Sequence, residues 1–197
     1  VVFLRLLADA NLFDREVGDD NVREIMTVKA SGTVWRHNVF AHGPGGISFR
    51  CGRSSTACGN VLAGCDFDHP YEAHQVCGAH HLFVNNYLID NRKGLALAMG
   101  DVTGVVPHKK TSSTFLVCER VERCVFAHNA FLGNGPMGLG ISPYAWAKRE
   151  RAPLAPTDNV ICNNLFVQQT GVMLDLKGTG GNRIHHNWFA GSARPGD

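Results

Sequence analysis

Thr33-Val34-Trp35-Arg36-His37-Asn38-Val39-Phe40 is the stretch on which the fold turns. Its first half is short and rich in β-branched and aromatic residues, the composition of a strand. Its second half, an asparagine with a large apolar residue two places later, recurs along the chain. The triplets are Asn11-Leu12-Phe13, Asn38-Val39-Phe40, Asn60-Val61-Leu62, Asn86-Tyr87-Leu88, Asn129-Ala130-Phe131, Asn164-Leu165-Phe166 and Asn187-Trp188-Phe189. Successive intervals are 27, 22, 26, 43, 35 and 23 residues, and the shorter four suit one turn of a solenoid. The 43- and 35-residue intervals accommodate surface insertions, expected near 101–116 and 141–157. No segment sustains the 3.6-residue periodicity of an amphipathic helix.

Physically the repeat reads as an all-β, right-handed parallel β-helix formed as one domain over residues 1–197, of about seven turns. An asparagine pointing inward on each turn can hydrogen-bond along the axis to the next. The residue two later points the same way and fills the core. His37, His128 and His186 each precede a marker asparagine, where Asn85 and Asn163 also stand, so they read as repeat positions rather than metal ligands. Val1 begins in mid-strand and 193–197 reads as a bare loop. The expectation is therefore an incomplete piece of a longer solenoid, lacking end caps.

Composition bounds the function. The chain is 44% hydrophobic and 18% charged, has no apolar run long enough to span a membrane, and carries a net charge of only +2. That balance gives no reason to expect nucleic acid or a membrane surface as partner. Seven cysteines are an odd number, so they cannot all pair within the chain.

Two basic residues stand out against this background. Lys29 lies 9 residues before Asn38, and Arg50 lies 10 before Asn60. On successive turns they would sit at nearly the same azimuth, about 4.8 Å apart along the axis. A cation pair held on a rigid face suits a polyanion. By the same count Cys51 and Cys77, each 9 residues before a marker, would stack as neighbouring thiols.

Around these residues the sequence resembles the polysaccharide lyases of family 6, the alginate lyase and chondroitinase B family. The resemblance rests on the run 22–30 (Val-Arg-Glu-Ile-Met-Thr-Val-Lys-Ala), on Asn38-Val39-Phe40 and on Phe49-Arg50-Cys51-Gly52. It continues more weakly through Val76-Cys77-Gly78 and Asn85-Asn86-Tyr87 to Asn164-Leu165-Phe166. The resemblance implies β-elimination on a uronic-acid polysaccharide, alginate first and dermatan or chondroitin sulfate next, by a secreted or periplasmic enzyme. Calcium would neutralise the sugar carboxylate and so acidify the proton at C5. Lys29 matches the lysine that abstracts that proton, Arg50 the arginine near the leaving oxygen, and Glu24 one of two calcium-binding glutamates. Gln75 falls where alginate-cleaving relatives often carry an arginine, which marks it as a substrate-binding candidate.

The chemistry is coherent. A lysine ammonium is a poor base at neutral pH, and a neighbouring guanidinium favours its neutral amine. Hard calcium prefers carboxylate oxygens such as those of Glu24. Two positions depart from the family pattern: Val22 stands where the first calcium glutamate belongs, and Cys51 where a histidine follows the arginine. Those departures keep two further readings open, a non-catalytic β-helix that holds acidic glycans and a uronate C5-epimerase on the same scaffold.

Overall fold

A computed structural model describes residues 6–14, 25–43, 45–49, 52–65, 74–92, 94–99, 119–145, 154–168, 170–176 and 180–192; for 98–99 and 141–145 only the backbone is described. Its strands form three sheets, and every strand pairing within them is parallel. The parallel β-helix expected from the asparagine repeat is the fold. Among the described residues there is no helix.

Each rung visits the sheets in the same order. Met26–Val28 lies in the third sheet, Val34–Arg36 in the first and Val39–Ala41 in the second. The next rung repeats this as Ile47–Phe49, Thr56–Cys58 and Val61–Ala63, and the one after as Gln75–Val76, Leu82–Val84 and Tyr87–Ile89. The expected insertion at 101–116 lies outside the described residues. In the region of the other, 141–145 prolongs the strand Met137–Ala145.

The corner between the first and second sheets explains the repeat. It holds two residues, and the first is left-handed in every rung: Ala10, His37, Gly59, Asn85, His128, Asn163 and His186 all have φ between 54° and 64°. That conformation turns the chain sharply, and it is one that asparagine, histidine and glycine adopt more readily than most residues. The second corner residue is the marker asparagine. Its amide bonds to the next rung from Asn11 to Asn38 (2.9 Å), Asn38 to Asn60 (3.0 Å), Asn60 to Asn86 (2.9 Å), Asn86 to Asn129 (3.1 Å), Asn129 to Asn164 (3.0 Å) and Asn164 to Asn187 (2.9 Å). The apolar residue two places on then enters the core: Phe40, Leu62, Leu88, Phe131 and Phe166 are wholly buried. Their rings stack like the strands, Phe131 on Phe166 with centroids 4.8 Å apart.

Two more ladders run beside the first. Five residues before the markers stand Thr33, Ser55, His81, Cys124, Asn159 and Asn182, linked rung to rung by side-chain hydrogen bonds. Five residues after three of the markers stand Cys65, Asn91 and Asn134, linked likewise. Burial pushes the Cys65 and Cys124 thiols up to about 11 and about 12, so both remain protonated packing groups at neutral pH.

Candidate active site

The third sheet carries or adjoins the candidate residues Lys29 and Gln75. Its rungs pair Met26 with Ile47, Thr27 with Ser48 and Val28 with Phe49, and then Ser48 with Gln75 and Phe49 with Val76. Val28, Phe49 and Val76 point into the core. Alternation therefore turns Thr27, Ser48 and Gln75 outward in one row. Lys29 follows Val28 and is exposed. Arg50 follows Phe49 in the sequence; it lies outside the described residues, as do Glu24, Val22 and Cys51.

Cys77 is the residue following Val76, which pairs with Phe49 as Phe49 pairs with Val28. At the corner beyond, the offset between the same two rungs is one residue smaller: Arg53 bridges to Ala79, and Gly52 and Gly78 lie in contact. The expected stacking of Cys51 on Cys77 lies outside the described residues, because Cys51 does.

Gln75 is 2% exposed, between Ser48 and Ala96 of the neighbouring strands. Its Nε2 and the Ser48 Oγ are both buried without a hydrogen-bond partner among the described residues. Two adjacent polar groups left unpaired on an outward row are a costly arrangement that an added partner would relieve.

Behind Lys29 the turns leading to the first sheet stack in contact. Gly52, at φ +94°, lies against the Ala30 carbonyl: a Cβ on it would stand 2.8 Å from that oxygen. Gly78, at φ +98°, lies against Gly52, whose carbonyl oxygen would be 2.3 Å from an added Cβ. Glycine at both places is demanded by the conformation and by the space. Further links close the turn: the Gly32 N–H donates to the Arg53 carbonyl (2.8 Å) and the Arg53 N–H to Ser31 Oγ (3.0 Å). The Arg53 guanidinium pairs with the Glu119 carboxylate, two rungs away.

Sequence reasoning missed Ser55, His81, Arg53 and Glu119. A signal existed for the first two, the fixed five-residue spacing ahead of Asn60 and Asn86. None existed for the Arg53–Glu119 pair, whose partners are 66 residues apart. Among the described residues no group of three or more histidine, cysteine, aspartate or glutamate side chains is placed to hold a metal.

The structure is a parallel β-helix in which an exposed lysine follows a strand of the third sheet, backed by close-stacked glycine turns. The family model described as chondroitinase B matches residues 4–192, and the chain belongs to that family. Among solved structures it is similar to a mannuronic acid-specific polysaccharide family 6 lyase from human gut microbiota, with 21% identity and a TM-score of 0.56. The likeness covers 92% of this chain and 44% of that one, so the chain spans less than half of the lyase it resembles in fold. No curated protein matches the chain by sequence.

Proposed function

We propose that this chain is the base-bearing part of a polysaccharide lyase that cleaves a uronic-acid polymer by β-elimination. The observation carrying this reading is the pairing of Val28 with Phe49 on adjoining parallel strands of a chondroitinase B family chain, with Lys29 exposed directly after the first. In the reaction the Lys29 amine takes the proton from C5 of the uronate. The electron pair left behind forms the C4–C5 double bond as the C4–oxygen bond breaks, and the departing oxygen takes a proton from water. Arg50, permanently charged, stabilises the negative charge that develops on substrate. Gln75, one row upstream, is the candidate donor to a sugar hydroxyl or carboxylate, a reading supported by its unpaired Nε2.

Calcium is the cofactor the family leads one to expect, and Glu24 is the carboxylate this sequence offers it. Val22 has no side-chain donor atom, and one carboxylate is too few for a cation that takes six to eight oxygens, so the residues present do not make up a calcium site. Alginate is the preferred substrate class, with dermatan and chondroitin sulfate behind it.

The test is to incubate the full-length protein with polymannuronate, polyguluronate and dermatan sulfate and follow the ultraviolet absorbance of unsaturated uronate. Lys29→Ala is expected to lower the rate by roughly 10²- to 10⁴-fold, the scale of a lost general base. Val22 and Cys51 favour one rival, a β-helix that binds acidic glycans without cleaving them. Binding with no absorbance change would establish it. Exchange of the C5 proton with solvent, without cleavage, would establish an epimerase instead.

A further inference from the structure

His81 is 2% exposed, and both ring nitrogens are engaged. Nδ1 accepts from the Ser55 N–H at 3.1 Å, so Nε2 carries the hydrogen and donates it to the Cys77 carbonyl at 3.0 Å. The partners fix the neutral tautomer. The ring face stacks on Phe49, with centroids 5.3 Å apart and planes 19° from parallel. Ser55 passes the connection on: its Oγ accepts from Thr33 Oγ1 at 3.0 Å and donates to the Ala30 carbonyl at 3.3 Å.

The three rungs of the site therefore converge on one imidazole. Through Ser55 it reaches Ala30, the residue after Lys29. By stacking it reaches Phe49, the residue before Arg50. By hydrogen bond it reaches Cys77, the residue following Val76 in the same sheet. The other members of this ladder are Thr33, Ser55, Cys124, Asn159 and Asn182, none of which combines a ring face with two nitrogens on opposite edges. Asn159 shows what the ladder itself requires. It accepts from the Cys124 N–H at 3.0 Å and donates to Asn182 and to the Val121 carbonyl on another rung. The bond from His81 to a carbonyl four residues back in its own rung is additional to the rung-to-rung link.

We propose that His81 is a positioning residue for the Lys29 site, a neutral imidazole that locks the three stacked turns behind the lysine in register. This rests on the reading of Lys29 as the base. Protonation would place an Nδ1–H against the Ser55 N–H, two donors facing each other, and release the Lys29 turn. The charged or titratable groups around it are Glu119, which favours the protonated ring, His80, which opposes it, and the buried Cys124. Acid should therefore inactivate through the turn before the fold is lost.

The test uses His81→Asn in the full-length protein, because asparagine is the ladder's own residue and keeps the acceptor for Ser55 while giving up the Cys77 bond. Expected are a kcat at least roughly tenfold lower, a KM within about twofold of wild type, a little-changed melting temperature and loss of the acid limb that His81 produces. Ser55→Ala, which removes the hydroxyl on Ala30 but keeps the N–H on His81, should lower kcat in the same way. Unchanged kcat in both variants overturns the proposal, and so does a loss of kcat that occurs only with loss of the cooperative melt. Wild type and Lys29→Ala, run alongside, judge the lyase reading separately. If wild type is inactive or Lys29→Ala is fully active, amide exchange decides for His81. Faster exchange confined to 30–32 in His81→Asn supports the lock, and unchanged exchange there overturns it.

Discussion

His74 places its imidazole in the core, wholly buried, and neither ring nitrogen makes a hydrogen bond of normal geometry among the described residues. It fits because residue 46 is glycine: a Cβ there would stand 2.3 Å from the ring. Burial pushes the pKa down to about 4 from the usual 6.5, against a smaller opposing pull from Asn91. Between those values the unfolded chain binds more protons than the folded one, so stability rises with pH. The contribution is complete above about pH 6.5 and is lost as pH falls towards about 4. The shift corresponds to about 3 kcal/mol, and His81, lowered for the same reason, acts in the same direction. Urea unfolding across this range should show His74→Leu losing about 3 kcal/mol less than wild type on acidification. Equal losses would mean that His74 is solvated or paired. A second residue-level outcome concerns Gly78: Gly78→Ala should misplace the turn against the Gly52 carbonyl and reduce kcat more than it reduces binding of the polymer, as read by steady-state kinetics beside equilibrium binding.

At the scale of the element, the asparagine ladder rather than strand length holds each rung. The described strands of the first two sheets are three residues long, too short to be stable as isolated pairs. Asn86 illustrates what the ladder adds. Its Nδ2 donates to Ala57, Val84 and Asn129, and its Oδ1 accepts from both the N–H and the Nδ2 of Asn60. Asn86→Ala would leave several of these groups buried and unpaired, at about 1–3 kcal/mol for each that finds no water. The expected loss is about 3 kcal/mol or more, enough to abolish cooperative folding. Asn11 stands at the exposed start of the same ladder, and Asn11→Ala should cost under about 1 kcal/mol. Comparing the denaturation midpoints of the two variants checks this. Similar losses would show that the ladder is not graded by burial.

At the scale of the whole molecule, the strand pairings link each rung only to its neighbours, with the Arg53–Glu119 pair reaching one rung further, so stability is close to a sum of rung and interface contributions. The inward residues of the last described rung lack cover on one side: Ile184 is 46% exposed and Phe189 38%, although Phe189 stacks on Phe166 at 5.2 Å. Central counterparts such as Phe126 and Phe131 are wholly buried. Amide exchange in this chain should accordingly be fastest in 183–190 and slowest in 83–132, with a graded rather than all-or-none pattern. Uniform protection would contradict the one-dimensional picture.

The fold was legible in the sequence because a solenoid repeats its physics on every turn. One amide per rung has to bond along the axis and one apolar side chain has to fill the core, so Asn11 to Phe189 display the period openly. The alignment of the Lys29 strand with the Phe49 strand followed from that period. What spacing could not fix was the register inside a rung, because the stretch between sheet and marker varies by a residue: Val76 stands 27 places after its partner Phe49, and Ala79 only 26 after Arg53. Nor could it show that His81 touches three rungs, that Gln75 is buried on an outward row, or that Arg53 meets Glu119. Those facts depend on side chains 22 to 66 residues apart being stacked at a common azimuth. Local sequence sets the period of the coil, and only the closed stack decides which side chains become neighbours across it.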